Sequence, residues 1–299
     1  MKSKQLLLTC LLAIVGSMAG QKAFAYDVEI NGIYYNLSGS EATVTYRDGN
    51  YHSYSGTIVI PQSFTYFNRT YSVKGIGHHA FEKCDSLTSV NIPNGVRWIG
   101  EEAFSKCYLL TSVTIPNSVT SINKKAFYNC YSLTSVNIPD GVTSIGESTF
   151  VLCTRLKSVT IGNSVTCIGD YAFDHCSKLT SITIPGSMTT IGSGAFVACG
   201  GLTSITIPSS VTSIGDQAFS GCYFAYDAFV NNSTTTSDNN WKATLCDEET
   251  GEGLLIKDGV AIKCRFWATS VNIPNSVTSI GEGAFEACGD LTSVPSQAA

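Results

Sequence analysis

The chain has 299 residues, a formal charge of −5, and twelve cysteines against four histidines. A chain of this length can bury a large core. An acidic balance with no basic stripe excludes a nucleic-acid partner, which would need one.

Met1 to Ala25 reads as a secretory leader. Lys2 and Lys4 precede the apolar run Leu6 to Val15, and Ala23-Phe24-Ala25 is a small-x-small cleavage site. The run is too short to span a bilayer. Export and cleavage before Tyr26 are therefore expected, and loss of Lys2, Lys4 and Lys22 takes the formal charge from −5 to −8. No second apolar segment is present to hold the mature chain in a membrane.

Residues 26–74 hold eight of the fourteen tyrosines. The runs Val28 to Leu37, Ala42 to Tyr46 and Thr57 to Ile60 alternate or cluster apolar residues between turn signals at Asn31-Gly32 and Asp48-Gly49-Asn50. They predict a β-rich N-terminal cap with an atypical first coil, its tyrosines half-buried strand residues.

From 75 to 222 the chain repeats itself. Phe81, Phe104, Phe127, Phe150, Phe173, Phe196 and Phe219 follow one another at intervals of 23 residues, with Cys84, Cys107, Cys130, Cys153, Cys176, Cys199 and Cys222 three residues behind them. A strict period in this range is the signature of a solenoid. Within one unit, Leu110, Val113 and Ile115 supply the inward side of a short strand, and Thr114 points the other way. Pro116 ends the strand because it has no N–H to give the ladder. Val119 and Ile122 return along the opposite side, and the i, i+1, i+4 spacing of Ala126, Phe127 and Cys130 predicts a short helical turn. One unit has too few inward residues to fold alone, so units must stack. The expected class is a β-rich α/β solenoid with 23-residue units.

The unit IGxxAFxxCxxLTSVxIPxSVTS resembles the leucine-rich repeats of BspA-like bacterial surface proteins of the Treponema type. The resemblance covers about Gly75 to Cys222 and again Ser270 to Cys288. The opening segments Gly32-Ile33-Tyr34-Tyr35 and Ile58-Val59-Ile60-Pro61 are also similar to the start of such proteins. It implies a curved right-handed leucine-rich-repeat superhelix displayed outside the cell, engaged in adhesion, and no enzyme.

After Cys222 the period breaks. Cys107 to Val113 spans six residues and the equivalent Cys222 to Val271 spans 49, so 43 are inserted. Residues 223–269 read as an irregular coil continuing the stack. They open on Phe224, Tyr226 and Phe229, pass a polar loop from Asn231 to Asn240, and form a hairpin from Leu254 to Cys264 turning at Asp258-Gly259. Residues 270–299 return to the pattern and falter at Pro295, leaving an end through which copies of the chain could associate.

Three groups of residues are candidates for chemistry. The cysteine column reads as buried small hydrophobes. Cys246 and Cys264, outside it, are the one candidate disulfide, and eleven mature cysteines leave at least one thiol free or paired between chains. His78 and His79 precede Cys84, but their columns hold Glu101-Glu102, Lys124-Lys125 and Asp216-Gln217 in other units, which is how solvent positions behave. No metal, cofactor or catalytic constellation is expected from them, since His52 and His175 are the only other histidines.

The strand face is the third group. Ser112, Ser135 and Ser158 belong to one outward row, and Thr114, Asn137 and Thr160 to the next. Uniform rows solubilise a sheet face or present a flat hydrogen-bonding surface to an extracellular protein or glycan. Specificity belongs where the repeat departs from itself. Tyr108 and Tyr131 share a column in adjacent units, and Arg155 and Lys157 follow in the next, Lys157 replacing an otherwise uniform Thr. Tyr and Arg are enriched at binding hot spots. Two functions are compatible with these features: an exported recognition scaffold, and a self-assembling structural protein without a separate ligand.

Overall fold

Along Ser135–Ile138 the side chains run exposed, buried, exposed, buried. The strand Ser158–Ile161 repeats that order in parallel register, pairing Ser135 with Ser158, Val136 with Val159, Asn137 with Thr160 and Ile138 with Ile161. In a computed structural model this one-period register recurs from coil to coil. The described residues are 25–49, 51–225, 229–231, 244–246, 248–249, 253–258, 260–265, 268–286, 288 and 291–293. The leader up to residue 24, most of the loop at 231–240 and Pro295 lie outside them.

Each coil contributes to two parallel ladders. The first contains Leu87–Asn91 with Ser112–Thr114, and Ser135–Ile138 with Ser158–Ile161 and Ser181–Ile182. The second is made of very short strands, Trp98–Ile99, Ser121–Ile122, Ser144–Ile145, Cys167–Ile168, Thr190–Ile191 and Ser213–Ile214, each paired with the coil before. Each coil approaches the last so closely after the second ladder that Gly146 has no room for a side chain. A Cβ there would meet the backbone N of Lys124 at 2.8 Å.

The N-terminal segment joins both ladders. Strands β1 (Val28–Ile30), β2 (Ile33–Ser38) and β3 (Glu41–Thr45) form an antiparallel meander, and β3 pairs in parallel with β6 (Arg69–Ile76), which leads into Trp98–Ile99. Strand β4 (Gly56–Val59) starts the first ladder against Leu87–Asn91, and β5 (Ser63–Tyr66) makes a hairpin with β6. Tyr54 continues the core stack from this side, its ring centroid 4.5 Å from that of Phe81. Its buried hydroxyl donates to the Thr45 carbonyl and accepts the Tyr34 N–H at 3.1 Å.

The expected helical turn is absent: none of the described residues is helical, so the class is a β-solenoid and not α/β. The Ala-Phe-x-x-Cys segment is a run of overlapping β-turns. Ala103, Ser105 and Cys107 donate their N–H groups back along the chain, to Gly100, Glu102 and Phe104. The alternate residues Glu102, Phe104 and Lys106 donate forward to Lys124, Ala126 and Tyr128 of the next coil, at 2.7–3.1 Å. A helix would satisfy these donors internally; here they bind one coil to the next. The geometry requires left-handed backbone at two positions per unit. His79, Glu102, Lys125, Ser148, Tyr171, Gly194 and Gln217 have φ of 53–60°, and Lys83, Lys106, Asn129, Leu152, His175, Ala198 and Gly221 have φ of 55–74°.

The core is a stack of identical layers. The seven phenylalanines are fully buried, with neighbouring ring centroids 4.8–5.4 Å apart and planes within 7° of parallel. Beside them each cysteine donates its S–H to the Phe carbonyl of the preceding coil, from Cys107 on Phe81 to Cys222 on Phe196, at 3.0–3.3 Å.

After Cys222 the chain stays in the stack. Phe229–Asn231 pairs in parallel with Ile205–Ile207 of the preceding coil, and Tyr223–Ala225 pairs with Thr244–Cys246. Leu254–Lys257 and Val260–Cys264 form an antiparallel hairpin, whose second strand pairs in parallel with Ser279–Ile280 of the final unit. Arg265 secures the joint. It is fully buried, and its Nη1 donates to the carbonyls of Gly200 at 3.2 Å and Leu202 at 3.1 Å.

Candidate functional site

The first ladder turns its Ser and Thr/Asn rows to solvent. Ser112, Thr114, Ser135, Asn137, Ser158 and Thr160 are all exposed, and the valine between each pair is turned inward. Beside these rows runs a second set of hydroxyls with a structural task. Thr111, Thr134, Thr180 and Thr203 each donate both N–H and Oγ1 to the carbonyl one coil back. Lys157 occupies this column without a hydroxyl. Its N–H still donates to Thr134 at 2.9 Å, but its side chain is exposed, so a position that elsewhere folds onto the backbone here presents an ammonium group.

The tyrosines come together. The rings of Tyr108 and Tyr131 stack with centroids 5.4 Å apart and planes 23° from parallel; Tyr108 is half-buried and Tyr131 is 38% exposed. Arg155 and Lys157 are exposed on the following coil. Among the described residues no cation lies over either ring. Leu109, 47% exposed, belongs to the same surface and is masked by its neighbour, because Leu109-Leu110 reads as a core pair. Its column gives it away: the equivalent residues are Ser132, Arg155 and Lys178.

A cleft of 280 Å³ opens where the regular coils meet the irregular segment, lined by Ser177, Lys178, Gly200, Gly221, Tyr223 and Lys263 among others. Gly200 stands in the column of Tyr108 and Tyr131, and its missing side chain leaves the space. The Lys263 ammonium lies 6.0 Å from the centre of the Tyr223 ring. Nothing in the sequence signals this cleft, because Ser177 and Lys263, on its two walls, are far apart along the chain.

The cysteines are chemically quiet. Burial pushes the thiols of Cys153 and Cys222 up to about 12 and that of Cys84 up to about 11, and holds Cys107, Cys130, Cys176 and Cys199 well above the ordinary thiol range. A thiol kept protonated is neither nucleophile nor metal ligand. The disulfide differs from the expected one: Cys264 is bonded to Cys288, with Cα atoms 6.1 Å apart, and not to Cys246. The Cys264 N–H donates to the Ala284 carbonyl, as Phe81 donates to Ala103, so Cys264 fills a Phe position relative to the final coil. The ladder cysteines from Cys107 to Cys222 each face that position of the preceding coil. In the last unit the residue that Cys288 meets is another cysteine.

His78 accepts the Glu101 N–H at its Nδ1, 3.1 Å away, and Cys84 turns inward, its Sγ 3.4 Å from the Tyr51 carbonyl. The His78, His79 and Cys84 grouping therefore does not assemble. No helix among the described residues is long and apolar enough to cross a membrane.

Comparison with known proteins agrees with this architecture. The BspA type leucine-rich repeat region matches in six copies, over residues 60–166, 145–243 and 262–298. A leucine-rich repeat protein of T. pallidum is 29% identical, with a TM-score of 0.59, covering 66% of this chain and 89% of that one. A leucine-rich cell surface protein of Faecalibacterium prausnitzii is 28% identical over 93% of this chain and 77% of its own, TM-score 0.47. A leucine-rich repeat protein of Bacteroides ovatus is 26% identical over 89% of this chain and 81% of its own, TM-score 0.41. No curated protein matches the sequence significantly. None of these matches is to an enzyme family. The family model covers well over half of the chain, and the protein belongs to the BspA-type leucine-rich repeat family.

Proposed function

We propose that this protein is an exported, non-catalytic recognition scaffold whose exposed ladder face binds a protein or glycan on a host or microbial surface. The observation that carries the reading is the Tyr108–Tyr131 stack standing beside otherwise uniform rows of Ser, Thr and Asn. Rows of short hydroxyls and amides hydrogen-bond to many partners alike. A stacked tyrosine pair with Leu109 on one side and Arg155 and Lys157 on the next coil adds apolar area and charge at one place, the combination that dominates binding hot spots. Membership of a repeat family of scaffolds supports the same reading, and the leader predicted at Met1 to Ala25 supports export.

The test is binding of the chain to a panel of extracellular-matrix proteins and glycans, with light scattering on the same samples. Saturable binding by a monomer is expected, weakened about thirtyfold, or about 2 kcal/mol for a hot spot, when Tyr131, Arg155 and Lys157 are replaced together by alanine. Saturable binding that survives this replacement removes the patch from the proposal. Absence of binding together with concentration-dependent assembly replaces the scaffold by the self-assembling alternative.

A further inference from the structure

Glu82 is a buried acid on an otherwise solvated rim. Only 6% exposed, it shares that burial with Arg265 alone among the charged side chains of the described residues. A carboxylate withdrawn from water needs compensation, and the groups around it are arranged unusually. His79 Nδ1 lies 2.8 Å from Glu82 Oε2 and 4.0 Å from Glu102 Oε2. The three donor atoms lie within 4.8 Å of one another. Two lysines are present but take the other oxygens: Lys83 Nζ is 3.4 Å from Glu82 Oε1, and Lys125 Nζ is 3.8 Å from Glu102 Oε1. The ammonium groups thus hold the two carboxylates from behind, while both Oε2 atoms and the imidazole converge on one point.

We propose that His79, Glu82 and Glu102 form a binding site for a divalent transition-metal ion of the zinc class, which ties the first repeat coil to the second. One imidazole nitrogen and two carboxylate oxygens are a zinc donor set. Bonds of about 2.0–2.2 Å place tetrahedral donors roughly 3.3–3.5 Å apart, between the two separations observed here. His79 and Glu102 share a column in adjacent coils, so the site exists only once the coils are stacked. The Tyr51 ring packs tilted against His79 with centroids 5.6 Å apart, and Lys83 is held 5.3 Å from the centre of that ring. Ser105, whose N–H donates to Glu102 and whose carbonyl accepts from Lys83, has a buried hydroxyl with no hydrogen-bond partner.

The test starts from the full chain stripped of metal with a chelator and titrated with zinc chloride by calorimetry, with thermal unfolding measured alongside. One equivalent bound with about micromolar affinity is expected, raising the unfolding temperature as binding to the native state must. His79→Ala and Glu102→Gln each weaken binding at least tenfold and lose the thermal shift, while keeping the far-ultraviolet spectrum of the parent. His175→Ala, which removes a histidine paired with Asp174 at 2.6 Å elsewhere in the stack, changes neither. Absence of saturable binding up to millimolar zinc overturns the proposal, as does binding by the His79 and Glu102 variants that matches the parent.

Discussion

Phe104 and Phe127 lie with ring centroids 5.1 Å apart and planes within 1° of parallel, although they belong to successive repeats of the chain. Each ring is the floor of one coil and the ceiling of the next. Phe127→Ala therefore opens a void shared by two layers, and a loss of about 3–5 kcal/mol is expected in urea unfolding. Hydrogen exchange should localise the damage, with the coils flanking Phe127 losing protection before those around Phe196.

Alkaline pH should loosen the stack through the cysteine column. A thiol whose folded value is raised contributes stability that is complete below its unfolded value, near 9, and is lost as pH rises toward the folded value, about 12 for Cys153. Unfolding free energy should be insensitive to this group up to pH 9 and fall above it. Cys153→Ala should make that fall shallower by about 1.4 kcal/mol per pH unit, measured by urea unfolding of both proteins across that alkaline range.

The bond between Cys264 and Cys288 closes a loop that includes the start of the final unit. Peptide mapping without reductant should recover these two cysteines in one linked fragment. Cys288→Ser should cost about 3 kcal/mol, and limited proteolysis should then cut residues 268–286 first.

Lys157→Thr separates stability from recognition. The new hydroxyl can donate to the Thr134 carbonyl as Thr180 donates to Lys157, at 3.2 Å. A gain of about 0.5–1.5 kcal/mol in stability is expected. If the exposed ammonium group is there for a partner, binding should weaken in the same variant, whereas a residue kept for packing would not lose one while gaining the other.

Much of the stack is legible because a strict period turns the sequence into columns. The parallel pairing of Val136 with Val159 and the burial of every column phenylalanine follow from register alone. The helical turn is misleading because Ala126, Phe127 and Cys130 have the same inward spacing on a helix and on a run of β-turns. The discriminating signal lies in the columns between them. Across the repeats neither the His79 column nor the Lys83 column contains valine, isoleucine or threonine; the first contains Gly194 and Gly283, and the second Gly221. That is what left-handed backbone demands, since a β-branched side chain is the one least able to adopt it.

The rest depends on neighbours that no column names. The disulfide partner of Cys264 is set by which coil stacks on the hairpin, and the inserted segment conceals that register. Of the candidate contact residues, the stacking of Tyr108 on Tyr131 is implied by their shared column. Leu109 and the cleft at Gly200 need the structure, as does the convergence of Glu82 and Glu102 on His79. In that last case the sequence draws attention to Cys84, close behind Phe81 and turned inward, and away from an acid in the adjacent coil.

The forward-donated bonds of the turn segment and the backward-donated bonds of the threonine column recur from coil to coil through the regular repeats, which makes the length of this protein adjustable in discrete steps. Removing one whole unit from within residues 100–214 joins two coils that already carry matching donors and acceptors. The result would be a stack one layer shorter, the 5.4 Å that separates the Phe127 and Phe150 rings. A deletion out of step by a single position within a strand would instead bring a valine opposite a serine and break the register at that junction. Unequal exchange between neighbouring units could thus lengthen or trim the stack by whole coils over evolutionary time, whereas the insertion after Cys222, which is not a whole number of units, is accommodated by strands of its own and by the buried Arg265.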